Sequence, residues 1–412
     1  MKKIIFGLLL ASLIGAVFYL SSQDNSNVPS SKSYVQDADL SYETHPFMTD
    51  KGEPFSLSLP SGYTISLAAS GLGRARFMAM SPDGRLFVTD MKNLSDNTEG
   101  KIYVLDKFNE QTKQFDSKKI YLSRLRNPNS IAFYKDSAGR TWIYIALTDR
   151  LIRYLYVSGE DAPRGEPETL ATYPDYGLSY KYGGWHLTRT VHILNDKLYV
   201  SVGSSCNSCE EKESEPLRAT ITQMNPDGTG EKILATGLRN AVGLASKDNE
   251  LYASAMGADH LGDDRPEEAL YKIRDGANYG WPYCYQYQGA VYADYSQKWQ
   301  RSVDCSSVPL ALSTFPAHVA PLGLEYFDAR VSSELTDSFL LALHGSSNIS
   351  LGRGYKIIRI DKEGNTKDFV TGFLRDGVSY GRPAGILKAS PASFYFTDDY
   401  FGRLYFVSKP NM

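Results

Sequence analysis

The chain has 412 residues, with 44 Lys+Arg against 47 Asp+Glu for a formal charge of −3. That balance leaves no excess of cations to neutralise phosphates and argues against a nucleic-acid binder. A hydrophobic content of 42% with 12% aromatics excludes disorder over most of the length. Twenty-nine tyrosines, 34 glycines and 19 prolines lean toward an all-β protein rich in turns.

The first residues, Met1-Lys2-Lys3, precede an apolar run over 4–20 and a Ser/Asn/Pro-rich stretch that reaches Ser33. A short basic region, an apolar core and a polar tail make an export signal. The run is at the lower limit for a membrane span, so residues 1–22 read as a cleaved signal peptide or a retained N-terminal membrane anchor. A flexible linker over 23–44 and a folded domain over 45–410 follow. Either reading places that domain outside the cytoplasm, periplasmic or secreted.

From residue 76 onward one unit recurs: a marked turn, then three short apolar strands separated by turns. Its copies are expected at 76–80, 86–90 and 101–105; 130–134, 142–147 and 151–157; and 189–194, 197–203 and 219–224. They continue at 241–245, 250–256 and 268–273; 322–327, 338–344 and 355–360; and 383–387, 393–398 and 402–407. Each set is preceded by one more strand, as at 63–68, 119–122, 232–234 and 369–373. Apolar residues alternate or run in fives rather than at a 3.6 period, which excludes helices. Six such units predict an all-β, six-bladed β-propeller with four antiparallel strands per blade. The fifth unit carries an insertion over 283–313. Cys206 and Cys209 are expected to pair across a tight loop, and Cys284 with Cys305 to pin that insertion, as suits an oxidising compartment.

Several turns carry chemistry. His186, in Gly183-Gly184-Trp185-His186, precedes a strand, where an imidazole can accept a proton near neutral pH. Arg239-Asn240 holds the matching place in the next unit and Arg382 in the last. A guanidinium fork there suits carboxylates and carbonyls, although a structural salt bridge would use the same residues. The convergence of three such residues on one rim outweighs any one of them. The loop from Gly257, Ala258 and Asp259 to Asp264 offers carbonyl and carboxylate oxygens for a hard cation such as Ca²⁺. Asp398-Asp399 is a further cation ligand or a turn cap. Trp281 can stack on a flat ring or be buried, and His318 and His344 sit in the loops of the fifth unit.

The stretches GGWHLTRTVHILNDKLYVSVG, GLRNAVGLA, DDRPEEALYKIRDGANYGWP, FPAHVAPLGLEYF, ALHGSSN and GRPAGILKASPASFYFTDD resemble the glucose/sorbosone dehydrogenase family. These are soluble pyrroloquinoline-quinone (PQQ) sugar dehydrogenases built on six-bladed propellers. The resemblance implies a quinone lying over the axis with Ca²⁺ bridging it to Gly257, Ala258 and Asp259. It implies His186 as catalytic base, with Arg239 stabilising charge on the reduced quinone. Asn240, Trp281, His318, His344 and Arg382 are the further cofactor contacts expected. The histidine motif H-L-T-R is shorter than the H-x-x-G-R of glucose oxidisers, and Ala317 lacks a polar side chain, which points to the sorbosone or aldose branch. The implied partners are a sugar or polyol substrate and an electron acceptor that the sequence does not identify. Two alternatives stay open: a Ca²⁺-dependent propeller lactonase or esterase, and a non-enzymatic propeller that binds glycans or proteins through the Tyr-rich insertion.

Overall fold

The computed structural model describes residues 41–176, 185–328 and 334–409. The expected six-bladed propeller is found: six four-stranded antiparallel sheets, each with its first strand innermost. The innermost strands are Ala75–Met80, Ser130–Lys135, Arg189–Leu194, Asn240–Lys247, Pro321–Phe327 and Pro383–Ser390, and they define blades 1 to 6. The presumed signal and most of the presumed linker, residues 1–40, lie outside the described residues. Among those that are described, no helix is long and apolar enough to cross a membrane.

The repeat read from the sequence is offset from the blade by one strand. The strand expected to lead each unit is instead the outer edge of the blade before it. Lys232–Ala235 closes blade 3, for instance, and does not open blade 4. The first such strand, Thr64–Ala69, has no preceding blade. It pairs with Arg403–Ser408 and completes blade 6, tying the two ends of the propeller together. Covalent order cannot reveal this, because only ring closure gives that strand a partner. The same offset moves the insertion over 283–313 into blade 4, between Glu268–Lys272 and Ser313–Phe315. It holds the hairpin Cys284–Tyr287/Ala290–Ala293 and the Cys284–Cys305 disulfide.

Apolar clusters fill the seams between blades. Phe87, Ile102 and Tyr121 meet Ile131, Ile143 and Ile152 between blades 1 and 2. Phe327 and Leu340 meet Phe394 and Tyr405 between blades 5 and 6. Into that last seam a further hairpin, Tyr42–Met48 with Pro54–Pro60, sends Phe55, Leu57 and Leu59. Burying each such side chain contributes about 1.5–3 kcal/mol, and only stacked blades can bury both faces of every sheet.

One device spaces the blades around the axis. The inner strands of blades 1, 4, 5 and 6 each bulge after their first residues. At three of these bulges a glycine brings backbones together: a Cβ on Gly243 would lie 2.1 Å from the Leu322 carbonyl, one on Gly323 2.3 Å from that of Ala384, and one on Gly385 2.4 Å from that of Arg76. Hydroxyls of the second strands then bridge neighbours. Ser254 accepts from Gly243 N–H and donates to Leu322 O at 2.9 Å, and Thr397 accepts from Gly385 N–H and donates to Arg76 O at 2.5 Å. Thr89 donates likewise to Asn129 O at 2.8 Å. In these four blades the bulge fixes where the inner strand begins, and therefore which residues stand on the rim.

Candidate active site

At the end of the axis where the inner strands begin lies a cavity of about 420 Å³. His186, Arg239, Asn240, Asp259, His318, His344 and Arg382 all line it, with Arg76, Trp185 and Glu268. The three turn residues expected to converge, from blades 3, 4 and 6, thus do so.

His186 has a left-handed φ of 48°, a conformation rare outside glycine. Arg189 Nη1 holds that turn by donating to the His186 carbonyl at 2.7 Å. His186 Nδ1 lies 3.0 Å from both the carbonyl and the hydroxyl oxygen of Ser204. The Ser204 hydroxyl proton is spent on the Cys206 carbonyl at 2.6 Å. Both neighbours of Nδ1 are therefore acceptors, so Nδ1 carries the proton and Nε2 keeps its lone pair. Nε2 makes no hydrogen bond among the described residues. Burial, and next the charge of Arg239, hold the imidazole well below its usual pKa of 6.5. Gly203 makes the packing feasible, since a Cβ there would stand 2.4 Å from that of His186.

Arg239 is buried, and burial lowers its pKa against the opposing pull of Asp259. Its Nε donates to the Asn207 carbonyl at 2.9 Å, and Nη2 donates to Asn207 Oδ1 at 2.8 Å and Asp259 Oδ2 at 3.1 Å. Asn240 donates weakly to Met256 Sδ at 3.4 Å. Arg382 reaches no carboxylate among the described residues. It donates to the carbonyls of His344 at 3.2 Å and Ser346 at 2.7 Å, to that of Gly345, and lies over the Tyr355 ring. Arg76 donates to Asn129 Oδ1 and to Asp399 Oδ2 at 2.7 Å. Asp399 also pairs with Arg74 at 3.3 Å and His344 Nε2 at 2.7 Å. The hydrogen bond with His344 and the charges of Arg76 and Arg74 hold its carboxyl below the usual range in spite of burial, while burial takes His344 down to about 4. Glu268 is buried with Oε2 unpartnered, and burial pushes its carboxyl up to about 8. Three arginines, Arg76, Arg239 and Arg382, thus line the cavity against Asp259 and Glu268, with Asp399 behind Arg76.

Not every expected contact lies on this cavity. Trp281 lines a smaller adjoining one of about 50 Å³, together with Gly257 and Ala258, and donates to the Asn207 carbonyl at 3.2 Å. The aromatic at the main cavity is Trp185, 43% exposed, with Arg239 5.9 Å from its ring. His318 reaches the rim, but its nitrogens face Asp259 Oδ1 at 3.1 Å and the Gly262 carbonyl at 2.9 Å. Asp398 is the turn cap: it accepts from the N–H groups of Arg382, Tyr400 and Phe401. Sequence reading missed Arg76, Glu268 and Asn207. Arg76 is the second residue of the first inner strand, Ala75–Met80, next to the turn that leads into it. Glu268 lies in the DDRPEEAL stretch that carries the family resemblance, but nothing there assigned it a role.

The fit for a planar tricarboxylate such as PQQ is direct. Arg76 Nη2, Arg239 Nη1 and Arg382 Nη1 are donors with no partner among the described residues, at a cavity of sufficient size with an indole beside it. For calcium, the 257–259 loop brings carbonyl oxygens and Asp259, which Arg239 and His318 already engage. The one cluster of three metal-type side chains among the described residues is Cys206, Cys209 and Glu211, and its cysteines form a disulfide. The loop suits a cation completed by oxygens of a bound cofactor, not one caged by protein alone.

A family model described as TrAA12-like matches residues 57–372. An uncharacterised protein of Borreliella burgdorferi is 33% identical over 376 residues, 85% of this chain and 90% of its own. Among solved structures, a Trichoderma reesei carbohydrate-active enzyme of family AA12 superposes with a TM-score of 0.69 at 17% identity, covering 91% of this chain and all of its own. The PQQ domain of Coprinopsis cinerea pyranose dehydrogenase gives 0.69 at 19%, over 88% of this chain and all of its own. PQQ-bound aldose sugar dehydrogenase from Streptomyces coelicolor gives 0.57 at 21%, over 85% and 99%. At these identities the structural likeness is one of fold, and it agrees with the propeller that the sequence resemblance implies. With its family model spanning most of the propeller, the chain belongs to the TrAA12-like family.

Proposed function

We propose that the protein is an exported, PQQ- and Ca²⁺-dependent sugar dehydrogenase of the aldose or sorbosone type. The observation that carries this reading is His186, its Nδ1–H fixed by Ser204 and its Nε2 free, in a cavity walled by arginines with unspent donors. The solved relatives of this fold include a pyranose dehydrogenase PQQ domain, a PQQ-bound aldose sugar dehydrogenase and a calcium structure of a family AA12 enzyme. Two disulfides agree with an oxidising compartment.

A bound quinone supplies the two-electron acceptor for the hydride of a sugar C–H. The chain's own residues do the rest. Nε2 of His186 takes the proton of the substrate hydroxyl, for which a lone pair at neutral pH is required. Arg239, Arg382 and Arg76 hold the cofactor carboxylates and stabilise developing negative charge in a water-poor cleft. Asn240 lines the floor beside them. Gly257, Ala258 and Asp259 hold the calcium. Trp185 screens the mouth from water. The test is dye-linked oxidation of an aldose panel by the full chain reconstituted with PQQ and Ca²⁺. Activity that needs both is expected. Absence of activity together with an unchanged PQQ spectrum would overturn the reading, and lactone hydrolysis by the metal-loaded, quinone-free protein would replace it with the hydrolase.

A further inference from the structure

Between the two cysteines of the Cys206–Cys209 disulfide stands Asn207, whose hydrogen bonds among the described residues go to Arg239, Asp259 and Trp281. Its carbonyl accepts from Arg239 Nε at 2.9 Å and Trp281 Nε1 at 3.2 Å. Its side-chain oxygen accepts from Arg239 Nη2 at 2.8 Å and from the Asp259 backbone N–H at 2.9 Å. Asn207 therefore sets the plane of the Arg239 fork and anchors the start of the 259 loop in one stroke. The same short loop also reaches His186, because the Cys206 carbonyl takes the Ser204 hydroxyl proton and so fixes the partner of Nδ1. Its other flank is tied to the blade 4 insertion, where Glu210 accepts from Tyr283 Oη and from the N–H groups of Gln300 and Arg301.

A loop joined to four elements has to hold one conformation for all these bonds to coexist. Without its crosslink, the chain between Ser204 and Glu210 regains backbone freedom that must be frozen again for the site to form. Both cysteines are half-buried, outside the apolar core, so the bridge is open to thiol exchange. We propose that Asn207 is the positioning residue for Arg239 and the 259 loop, and that the Cys206–Cys209 bond makes this site redox-sensitive. A dithiol would supply two electrons and two protons. The Cys206–Cys209 S–S bond would break, two thiols would form, and the dithiol would leave as its own disulfide. Dioxygen would reverse the step, taking up the two electrons and two protons of the thiol pair and leaving as hydrogen peroxide. The inference rests on the functional reading only in taking Arg239 as a cofactor contact.

The experiment uses the full chain and reads Arg239 itself. Modification of Arg239 by phenylglyoxal is followed by peptide mass spectrometry, beside the PQQ dissociation constant in Ca²⁺. Cys206→Ser/Cys209→Ser is expected to raise the Arg239 modification rate at least tenfold and to weaken PQQ binding by a similar factor. Asn207→Ala, which keeps the disulfide, should do the same to a lesser degree with a nearly unchanged melting temperature. Cys284→Ser/Cys305→Ser should leave Arg239 unreactive. Equal reactivity of Arg239 in wild type and in Cys206→Ser/Cys209→Ser would overturn the proposal, as would an equal rise when the other bridge is removed. A wild type that fails to bind PQQ while Arg239 still responds would sink the dehydrogenase and leave the clamp standing.

Discussion

The two ends of the propeller axis are built from the same six inner strands and differ in what their side chains have left to offer. The end opposite His186 has the larger cavity, about 620 Å³ against 420 Å³. Its cations are spent: Lys247 pairs with Asp337 at 2.5 Å and Lys388 with Asp328 at 3.4 Å. Its histidine, His192, is pushed down to about 4 by burial and sits opposite no charged partner. At the His186 end Arg382 has no carboxylate among the described residues, Arg239 shares its only one with His318, and His186 is oriented by an acceptor pair. Volume alone does not make a site. Uncommitted donors held by a second layer of hydrogen bonds do.

The sharpest way to break this contrast is at the histidines. His186→Asn should lower turnover by about 10²–10⁴-fold with little change in quinone affinity, whereas His192→Asn should leave both intact. Steady-state rates with PQQ and Ca²⁺ decide it. Because burial and Arg239 keep His186 neutral, wild-type kcat/KM should stay level as pH falls through 6.5. A loss centred there would mean an ordinary, solvated imidazole.

Next comes the carboxylate behind the arginines. Asp399→Asn strands the buried Arg76 and should cost roughly 3–5 kcal/mol of stability in denaturant unfolding. Asp328→Asn, at the far end, should cost about 1 kcal/mol or less, since its pair with Lys388 is long and partly solvated. Smaller again is Arg239→Lys. It keeps the charge and loses the fork, so PQQ should bind roughly tenfold to a hundredfold more weakly. Lys388→Met should not change that affinity.

The smallest effect concerns Glu325, which burial pushes up from 4.5 to about 7. The folded chain holds this proton more tightly than the unfolded one. Its contribution to stability is full below about pH 4.5 and is lost as pH rises through 7. Glu325→Gln should therefore melt close to wild type at pH 4.5 and a few degrees higher at pH 8. Parallel melting curves at both pH values would show that Glu325 is solvated.

Sequence alone determined the blade count, the strands and the two cysteine pairings, because each is written in local patterning: alternation along strands, Gly and Asp turns, and even spacing. It also marked His186, Arg239 and Arg382, which stand in turns leading into inner strands and meet on one rim. It could not show that Thr64–Ala69 closes blade 6, since a strand's edge partner is chosen by ring closure and not by its neighbours in the chain. Nor could it separate Trp281 from Trp185, both tryptophans beside glycines; only the packed blades decide which ring meets the main cavity. Glu268 and Asn207 owe their roles to burial and to partners dozens of residues away. A carboxyl becomes a neutral acid, and an asparagine a clamp, only when distant strands remove water and bring those partners within hydrogen-bond reach.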